Sequence, residues 1–176
     1  MMLFNVIFSS ATYPANWATA KLNMIHKKGN KLDPSNYRGI SIVNSICKLY
    51  DRVLCTRLAL WYTPHREQAG GQRGRGCTEH LVTLRLLCDY ARRKKKKIYA
   101  TFVDFEKAYD SVDRQKLFSL LEKLGCGAVM LGAIIATYHL TQSLLGTAVI
   151  TTYAEVRQGL PTSVILYIIY ISELIK

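Results

Sequence analysis

Apolar and polar positions alternate along this chain in short extended runs, interspersed with longer stretches of helical spacing. The extended runs are rich in β-branched and aromatic residues, whereas the helical stretches repeat apolar residues every three to four positions. The pattern predicts strands over residues 20–25, 37–43, 98–103 and 147–156, the last as a strand or hairpin arm. It predicts helices over residues 44–61, 79–92, 114–124, 127–138 and 164–175. Residues 3–8 are expected to form the end of an amphipathic helix. This order alone leaves an ordinary α/β fold open.

Two of the predicted helices carry additional signals. Asp113 precedes the helix over residues 114–124 as a capping residue, and Gly125 follows it as a left-handed stop. The helix over residues 44–61 has one periodic face, which we expect to lie in the core. That face comprises Ile46, Leu49, Tyr50, Val53, Leu54, Arg57 and Leu58.

Asp104 directly follows the predicted strand over residues 98–103 and stands between Val103 and Phe105. A carboxylate buried in an apolar strand is costly unless a cation or hydrogen bonds meet it. The residues alone leave two interpretations about equally open. Asp104 serves a chemical function, or it only ends a strand.

Basic residues are concentrated around the first two predicted strands. Residues 26–34 form a polar loop that contains Lys27, Lys28 and Lys31, and a basic loop between strands can close over phosphates. A simply solvated loop is about as consistent with each lysine, since most exposed lysines do nothing specific. Arg38 lies inside an apolar strand and is therefore the stronger candidate for a phosphate contact.

Three further segments have two interpretations each. The Gly- and Arg-rich residues 67–78 fit a nucleic-acid contact and a flexible connector equally well. The basic run at residues 92–97 fits a localisation signal or a nucleic-acid patch, but a solvated helix end is the preferred interpretation. Residues 157–163 offer Gln158 as donor and acceptor and Gly159 for close approach, although an ordinary turn before a core helix has the same residues.

Composition narrows the class of partner more than the fold. The chain has 176 residues, a hydrophobic content of 49% and a formal net charge of +12. This length suffices for one domain with a sizeable core, and the charge favours nucleic acid or nucleotides as partners. A ribosome-like binder or a membrane-surface protein would have the same excess of basic over acidic residues. The cysteines form no C-x-x-C pair, so we expect reduced thiols in an intracellular protein and no zinc site. The apolar ends predict neither a signal peptide nor a membrane span.

Four segments of the chain carry a resemblance to a known family. Residues 102–110 read Phe-Val-Asp-Phe-Glu-Lys-Ala-Tyr-Asp, which resembles the first catalytic motif of the reverse transcriptases of non-LTR (LINE-type) retrotransposons. Residues 12–54 resemble the fingers segment of that family, with Gly39 where many members have proline. Residues 68–78 resemble its Gln-x-Gly-Phe-Arg-x-Gly-Arg segment in part, and residues 157–163 match its Arg-Gln-Gly-x-Pro-x-Ser block.

The resemblance implies an α+β fold that is a partial right-hand polymerase, with an antiparallel sheet and packed helices. Residues 1–97 would form a fingers-like segment and residues 98–176 part of the palm. The implied partners are an RNA template, a DNA primer and a deoxynucleoside triphosphate (dNTP), and no membrane. The implied reaction is RNA-directed DNA synthesis.

The resemblance also implies roles for individual residues. Asp104 would be catalytic and would bind Mg²⁺ together with the backbone carbonyl of Phe105. Asp110 matches a family position without an assigned metal role, and a turn-stabilising role is equally open. The implied nucleotide-binding residues are Arg38, Lys31, Lys107, Ala108, Tyr109, Gln158 and Gly159, and Arg73 and Arg75 would bind the template.

One family element has no counterpart in this sequence. The aromatic-Ala-Asp-Asp hairpin that supplies further metal ligands should follow the last helix, but the sequence contains no Asp-Asp pair. Two metal ions need carboxylates from more than one segment, so the Mg²⁺ site would be incomplete and portions of the polymerase would be missing. Two functions therefore remain open. The chain is a reverse transcriptase fragment that is inactive alone, or it is a non-enzymatic remnant or basic nucleic-acid-binding module.

Overall fold

The computed structural model describes residues 2–72 and 74–174, which form α-helices, four strands and two short 3₁₀ turns. The amino-terminal part contains α1 (Met2–Ser10), α2 (Ala15–Ala18), β1 (Thr19–His26), β2 (Tyr37–Ile42), α3 (Ser45–Trp61) and α4 (Cys77–Arg93). The remainder contains α5 (Arg114–Lys123), α6 (Ala128–His139), β3 (Gln142–Leu145), β4 (Ala148–Thr151) and α7 (Pro161–Ile171). The 3₁₀ turns are Pro34–Asn36 and Ser172–Leu174.

The four strands form one mixed sheet in the order β2-β1-β3-β4. The outer pairs, β1 with β2 and β3 with β4, are antiparallel, whereas β1 and β3 run parallel. The expectation of an antiparallel sheet is therefore wrong for the middle pair. A tight hairpin enforces antiparallel pairing, but β1 and β3 are joined by a long helical connection that imposes no such direction.

Two clusters of apolar side chains form the core, and α3 contributes to both. Leu58 of α3 packs with residues of α5, α6 and α7, whereas Tyr50 and Leu54 pack with α1, α2, β1 and α6. Each fully buried side chain of this size contributes about 1.5–3 kcal/mol to folding. The first cluster includes Val112, Leu117, Leu121, Leu166 and Ile169, and the second includes Ile7, Trp17 and Ala133.

The end signals predicted for α5 are confirmed, and α3 has a side-chain cap that was not predicted. Asn44 caps α3 by accepting a hydrogen bond from the backbone N–H of Ile46 at 2.9 Å. Asp113 caps α5 by accepting from Gln115 and Lys116, and Gly125 follows that helix with a φ of 84°. These side chains satisfy N–H groups that a helix start leaves without partners.

The buried face of α3 is rotated from the one that the apolar periodicity predicts. Ile46 and Leu49 are 46% and 60% exposed, while Cys47 and Asp51 are buried. Asp51 lies in the core because it binds the start of α7, a long-range contact that hydrophobic periodicity does not reveal.

The prediction of a strand over residues 98–103 is wrong. These residues have no regular secondary structure, and Phe102 and Val103 are 81% and 77% exposed. A strand needs a neighbour to bond its backbone, and none of the described strands pairs with this segment. Asp104 is consequently exposed, so the argument from a buried charge does not apply to it.

The other predicted elements are present with shifted ends, whereas α2 and β3 were not predicted. The segment at 147–156 contributes only β4 (Ala148–Thr151), which forms a hairpin with β3. Helix α7 starts at Pro161, earlier than predicted, and is followed by a 3₁₀ turn. Helix α4 is largely solvent-exposed, with only Ala91 buried among its residues. None of the helices that the structure describes is long and apolar enough to cross a membrane.

Candidate functional site

A cleft of about 450 Å³ opens where three distant segments of the chain meet. Lys27 and Arg38, from the β1–β2 hairpin, form one wall of it. The turn after Asp104 forms a second wall, and the turn before α7 together with the first residues of that helix forms the third. The residues of these two walls are Phe105, Lys107, Ala108, Tyr109, Asp110, Gln158, Gly159, Leu160, Ser163 and Val164.

The turn at Gln158 and Gly159 is attached to strand β2. The backbone N–H of Ser41 donates a hydrogen bond of 2.9 Å to the carbonyl of Gln158. Gly159 has a φ of 121°, and a Cβ at this position would lie 2.6 Å from the carbonyl oxygen of Ser41. Only glycine fits here, because other residues rarely adopt this φ and the space is already filled.

Buried polar side chains hold the start of α7 beneath the cleft. Both carboxylate oxygens of Asp51 accept hydrogen bonds from Thr162, one from its N–H at 2.8 Å and one from its hydroxyl at 2.6 Å. Ser163 Oγ donates to the carbonyl of Arg157 at 2.6 Å, and the buried Arg157 guanidinium donates to the carbonyl of Ala18. Burial raises the pKa of Asp51, although the bonds from Thr162 and the nearby Arg157 oppose this rise.

The turn over residues 105–111 is compact and locally braced. Lys107 has a φ of 52°, and its carbonyl accepts from the N–H of Ser111 at 2.9 Å. The ring of Tyr109 stacks on that of Tyr167, with centroids 5.0 Å apart. The carbonyl of Tyr109 accepts from the N–H of Val156 at 3.1 Å, which joins this turn to the segment that leads into the Gln158 turn.

The structure brings most of the candidate nucleotide residues into this one cleft. The six that line it are Arg38, Lys107, Ala108, Tyr109, Gln158 and Gly159, and Phe105 lines it too. Lys31 and Asp104 do not line it. Lys31 is exposed in the hairpin loop, where its backbone carbonyl accepts from the Tyr37 hydroxyl at 2.9 Å.

Sequence reasoning missed the roles of several residues around the cleft. Lys27 occupies the cleft wall, although sequence position alone did not separate it from the other lysines of its loop. Asp110 accepts a hydrogen bond of 2.7 Å from the Gln158 side chain. Asp51 was also missed, because it lies outside the face predicted for α3 and its contact with Thr162 is long-range.

A second and larger groove of about 1490 Å³ continues from the cleft along α3 and α7. Gly159, Leu160 and Val164 line both cavities, so the two are contiguous. The groove is lined both by basic residues and by apolar residues such as Leu49 and Ile168. Its basic residues are Lys48, Arg52 and Arg75.

Arg75 is the one template candidate whose position the structure describes, since Arg73 lies outside the described residues. Its guanidinium contacts Glu79 at 2.8 Å and donates to the carbonyl of Arg66, also at 2.8 Å. The hydrogen bond from Arg75 lowers the pKa of Glu79. Arg75 therefore borders the groove while it also ties the Gly- and Arg-rich loop to α4.

The described residues do not by themselves form a metal site. Among residues 2–72 and 74–174, no group of three or more His, Cys, Asp or Glu side chains could hold a metal ion. Asp104 is exposed at the edge of the turn, and the sequence offers no adjacent aspartate pair to complete a site. The arrangement can bind an anion through Lys27, Arg38 and Lys107, which outnumber the one carboxylate that lines the cleft.

Comparison with known proteins matches this chain to a polymerase family. The family model described as "Reverse transcriptase (RNA-dependent DNA polymerase)" matches residues 25–176. A probable RNA-directed DNA polymerase from transposon BS of Drosophila melanogaster is 32% identical over 130 residues, 70% of this chain and 14% of that protein. Two Pol polyproteins of type-1 retrotransposable element R2 are also similar. The one from Popillia japonica is 33% identical over 64% of the chain and 16% of its own length, and the one from Nasonia vitripennis is 26% identical over 94% and 17%.

The chain thus spans about one sixth of the length of these relatives. The resemblance to the reverse transcriptases of non-LTR retrotransposons is confirmed. Because the family model covers most of the chain, including every segment that lines the cleft, this chain belongs to the reverse transcriptase family of RNA-dependent DNA polymerases.

Proposed function

We propose that this chain is the fingers and part of the palm of a retrotransposon reverse transcriptase, and that its cleft binds the incoming dNTP. Residues 1–97 are assigned to the fingers and residues 98–176 to the palm. The observation that carries the proposal is the convergence of the β1–β2 hairpin, the 105–110 turn and the Gln158 turn on one basic cleft. Three motifs without a shared function would not be expected to line the same cleft.

The cationic wall of the cleft is assigned to the triphosphate. Arg38 and Lys27 face the cleft from adjacent segments and can neutralise phosphate oxygens, with Arg38 able to bind two of them at once. Lys27 takes the role that the family resemblance implies for Lys31, because Lys27 lines the cleft and Lys31 does not. Backbone N–H groups of Lys107 and Ala108 offer further donors to the same phosphates.

Tyr109, Gln158 and Gly159, from the other two walls, are assigned to the sugar and base. Tyr109 is held by its stack on Tyr167, so its ring can exclude a ribose by shape. Gln158 and Gly159 would contact the nucleotide and the template base. The RNA template and DNA primer are assigned to the neighbouring groove, because a lining of basic and apolar side chains suits a nucleic-acid strand.

Reverse transcriptases generally use a divalent metal, and the metal expected here is Mg²⁺. Asp104 and the carbonyl of Phe105 would be its ligands from this chain. The residues present do not fit a complete site, because Asp104 belongs to no group of three or more candidate ligands that could hold a metal ion among the described residues. We therefore assign to this chain nucleotide and template binding, and no chemical step.

Replacement of Arg38 by alanine should weaken dNTP binding by about tenfold, since a charge-assisted contact to phosphate contributes about 1.5 kcal/mol or more. Isothermal titration of the full chain with dATP measures this, and the effect should shrink as salt is raised. Arg93→Ala removes an equal charge from the exposed end of α4 and should leave affinity unchanged. An equal loss of dATP affinity in both variants would show that binding depends only on the overall positive charge. Binding of RNA without dNTP would instead favour a nucleic-acid-binding module.

Primer extension with this chain alone should give no template-dependent incorporation of dNTP. The physical reason is that two-metal catalysis needs several ligands, and no group of three or more candidate ligands could hold a metal ion among the residues that the structure describes. The assay uses an RNA template, a DNA primer and Mg²⁺, with Asp104→Ala as the matched variant. Incorporation that disappears in Asp104→Ala would contradict this prediction and would show that the chain completes its own metal site.

A further inference from the structure

One hydrogen bond joins two walls of the cleft. Gln158 Nε2 donates to Asp110 Oδ1 over 2.7 Å, and both residues line the cleft although they lie 48 positions apart. An ionised carboxylate only accepts hydrogen bonds, whereas a glutamine amide has one donor end and one acceptor end. The contact therefore fixes which end of the Gln158 amide faces Asp110.

We infer that Asp110 is a positioning residue that holds Gln158 Nε2 and thereby presents Gln158 Oε1 as an acceptor to a donor group of the bound nucleotide. This inference rests on the proposed nucleotide site. Within the part of the chain that the structure describes, no N–H or O–H group donates to Gln158 Oε1. Nε2 keeps one further hydrogen, but the oxygen is the group whose bonding capacity is wholly unused.

The backbone around Gln158 is fixed without help from Asp110. The Gln158 carbonyl accepts from Ser41, and the preceding carbonyl of Arg157 accepts from Ser163. The turn that carries Asp110 is likewise closed by backbone contacts, from Ser111 to Lys107 and from Val156 to Tyr109. The Asp110 side chain is therefore left to set the orientation of the amide, and its removal should not open either turn.

The ligand group that such an acceptor selects is a hydroxyl or amino donor. In a nucleotide this donor is a sugar hydroxyl or an exocyclic amino group of the base. Two analogues separate the sources: 2′,3′-dideoxy-ATP lacks the sugar 3′-hydroxyl, and a dATP analogue with hydrogen in place of the 6-amino group lacks the base donor. Whichever analogue loses affinity for the wild-type chain identifies the donor.

The test is isothermal titration of dATP and both analogues into the full chain and its variants. In the wild type, one analogue should bind about fivefold more weakly than dATP, the equivalent of one hydrogen bond. In Asp110→Ala, the ratio of the analogue's Kd to the Kd of dATP should fall towards one. Asp110→Asn should retain part of this ratio, because its side-chain oxygen can still accept from Gln158. Glu122→Ala removes an exposed carboxylate on α5 outside the cleft and should keep the full ratio.

A double-mutant cycle separates positioning from a general effect of charge. In Gln158→Ala the ratio should already be near one, and adding Asp110→Ala should change it no further. The inference is overturned if Asp110→Ala weakens all three ligands equally, if it acts as strongly without Gln158, or if a wild-type chain that binds dATP distinguishes neither analogue. A wild-type chain that binds none of the three contradicts the proposed nucleotide site itself, and this inference with it.

Discussion

Replacement of Gly159 by alanine should lower the free energy of unfolding by about 3 kcal/mol and abolish nucleotide binding. The added Cβ would lie 2.6 Å from the Ser41 carbonyl oxygen, so β2 and the Gln158 turn would have to separate. The φ of 121° adds backbone strain that alanine does not tolerate. Chemical denaturation followed by circular dichroism measures the stability, and dATP titration measures the site.

Gly125→Ala is the matched control for this prediction. Gly125 also has a positive φ, 84°, but nothing lies within 4 Å of the position that its Cβ would take. Its replacement should therefore cost only the conformational penalty of about 1 kcal/mol and leave nucleotide binding intact. If both variants lose the same stability, the close approach of the turn to β2 is not what demands glycine at position 159.

Asp51→Ala should cost about 3 kcal/mol of stability, the second large effect expected. The change leaves the N–H and hydroxyl of Thr162 buried without their acceptors, and such groups cost about 1–3 kcal/mol each. Asp51→Asn retains one oxygen acceptor and should cost less. Urea denaturation near neutral pH measures both, and Asp89→Ala on the surface of α4 should have little effect.

The pH dependence of the Asp51 variants has a defined sign. Burial raises the pKa of Asp51 in the folded chain above its unfolded value. As pH rises from about 4 towards the raised value, the unfolded carboxyl loses its proton while the folded one keeps it, so wild-type stability falls. Asp51→Asn cannot titrate and lacks this contribution, so its deficit should be greatest at low pH and shrink as pH rises. A deficit that grows with pH in this range would contradict the buried position of the carboxyl.

Local signals predicted the helices well because their physical causes are local. The cap Asp113 and the left-handed Gly125 each act within a few residues of the helix end that they mark. The strand at residues 98–103 failed for the opposite reason. Its composition favours an extended conformation, but a strand also requires a partner, which the residues of the segment cannot specify.

The sequence indicated which residues are candidates for the site, but not the contacts that bring them together. The motifs around Arg38, Tyr109 and Gln158 were recognisable from sequence, and the structure places all three on one cleft. The contacts that hold them there were not recognisable. Asp51 to Thr162 and Ser41 to Gln158 join residues more than 100 positions apart, and no local pattern records such pairs.

The parallel pairing of β1 with β3 sets an order of events during synthesis of the chain. Thr19 meets Gln142, 123 residues further along, so the β1–β2 hairpin leaves the ribosome long before its other neighbour exists. At about 5–20 residues per second, the inner edge of β1 stays unpaired for roughly 6–25 s. An open strand edge readily pairs with other chains, so the nascent β1 is exposed to mispairing throughout this interval.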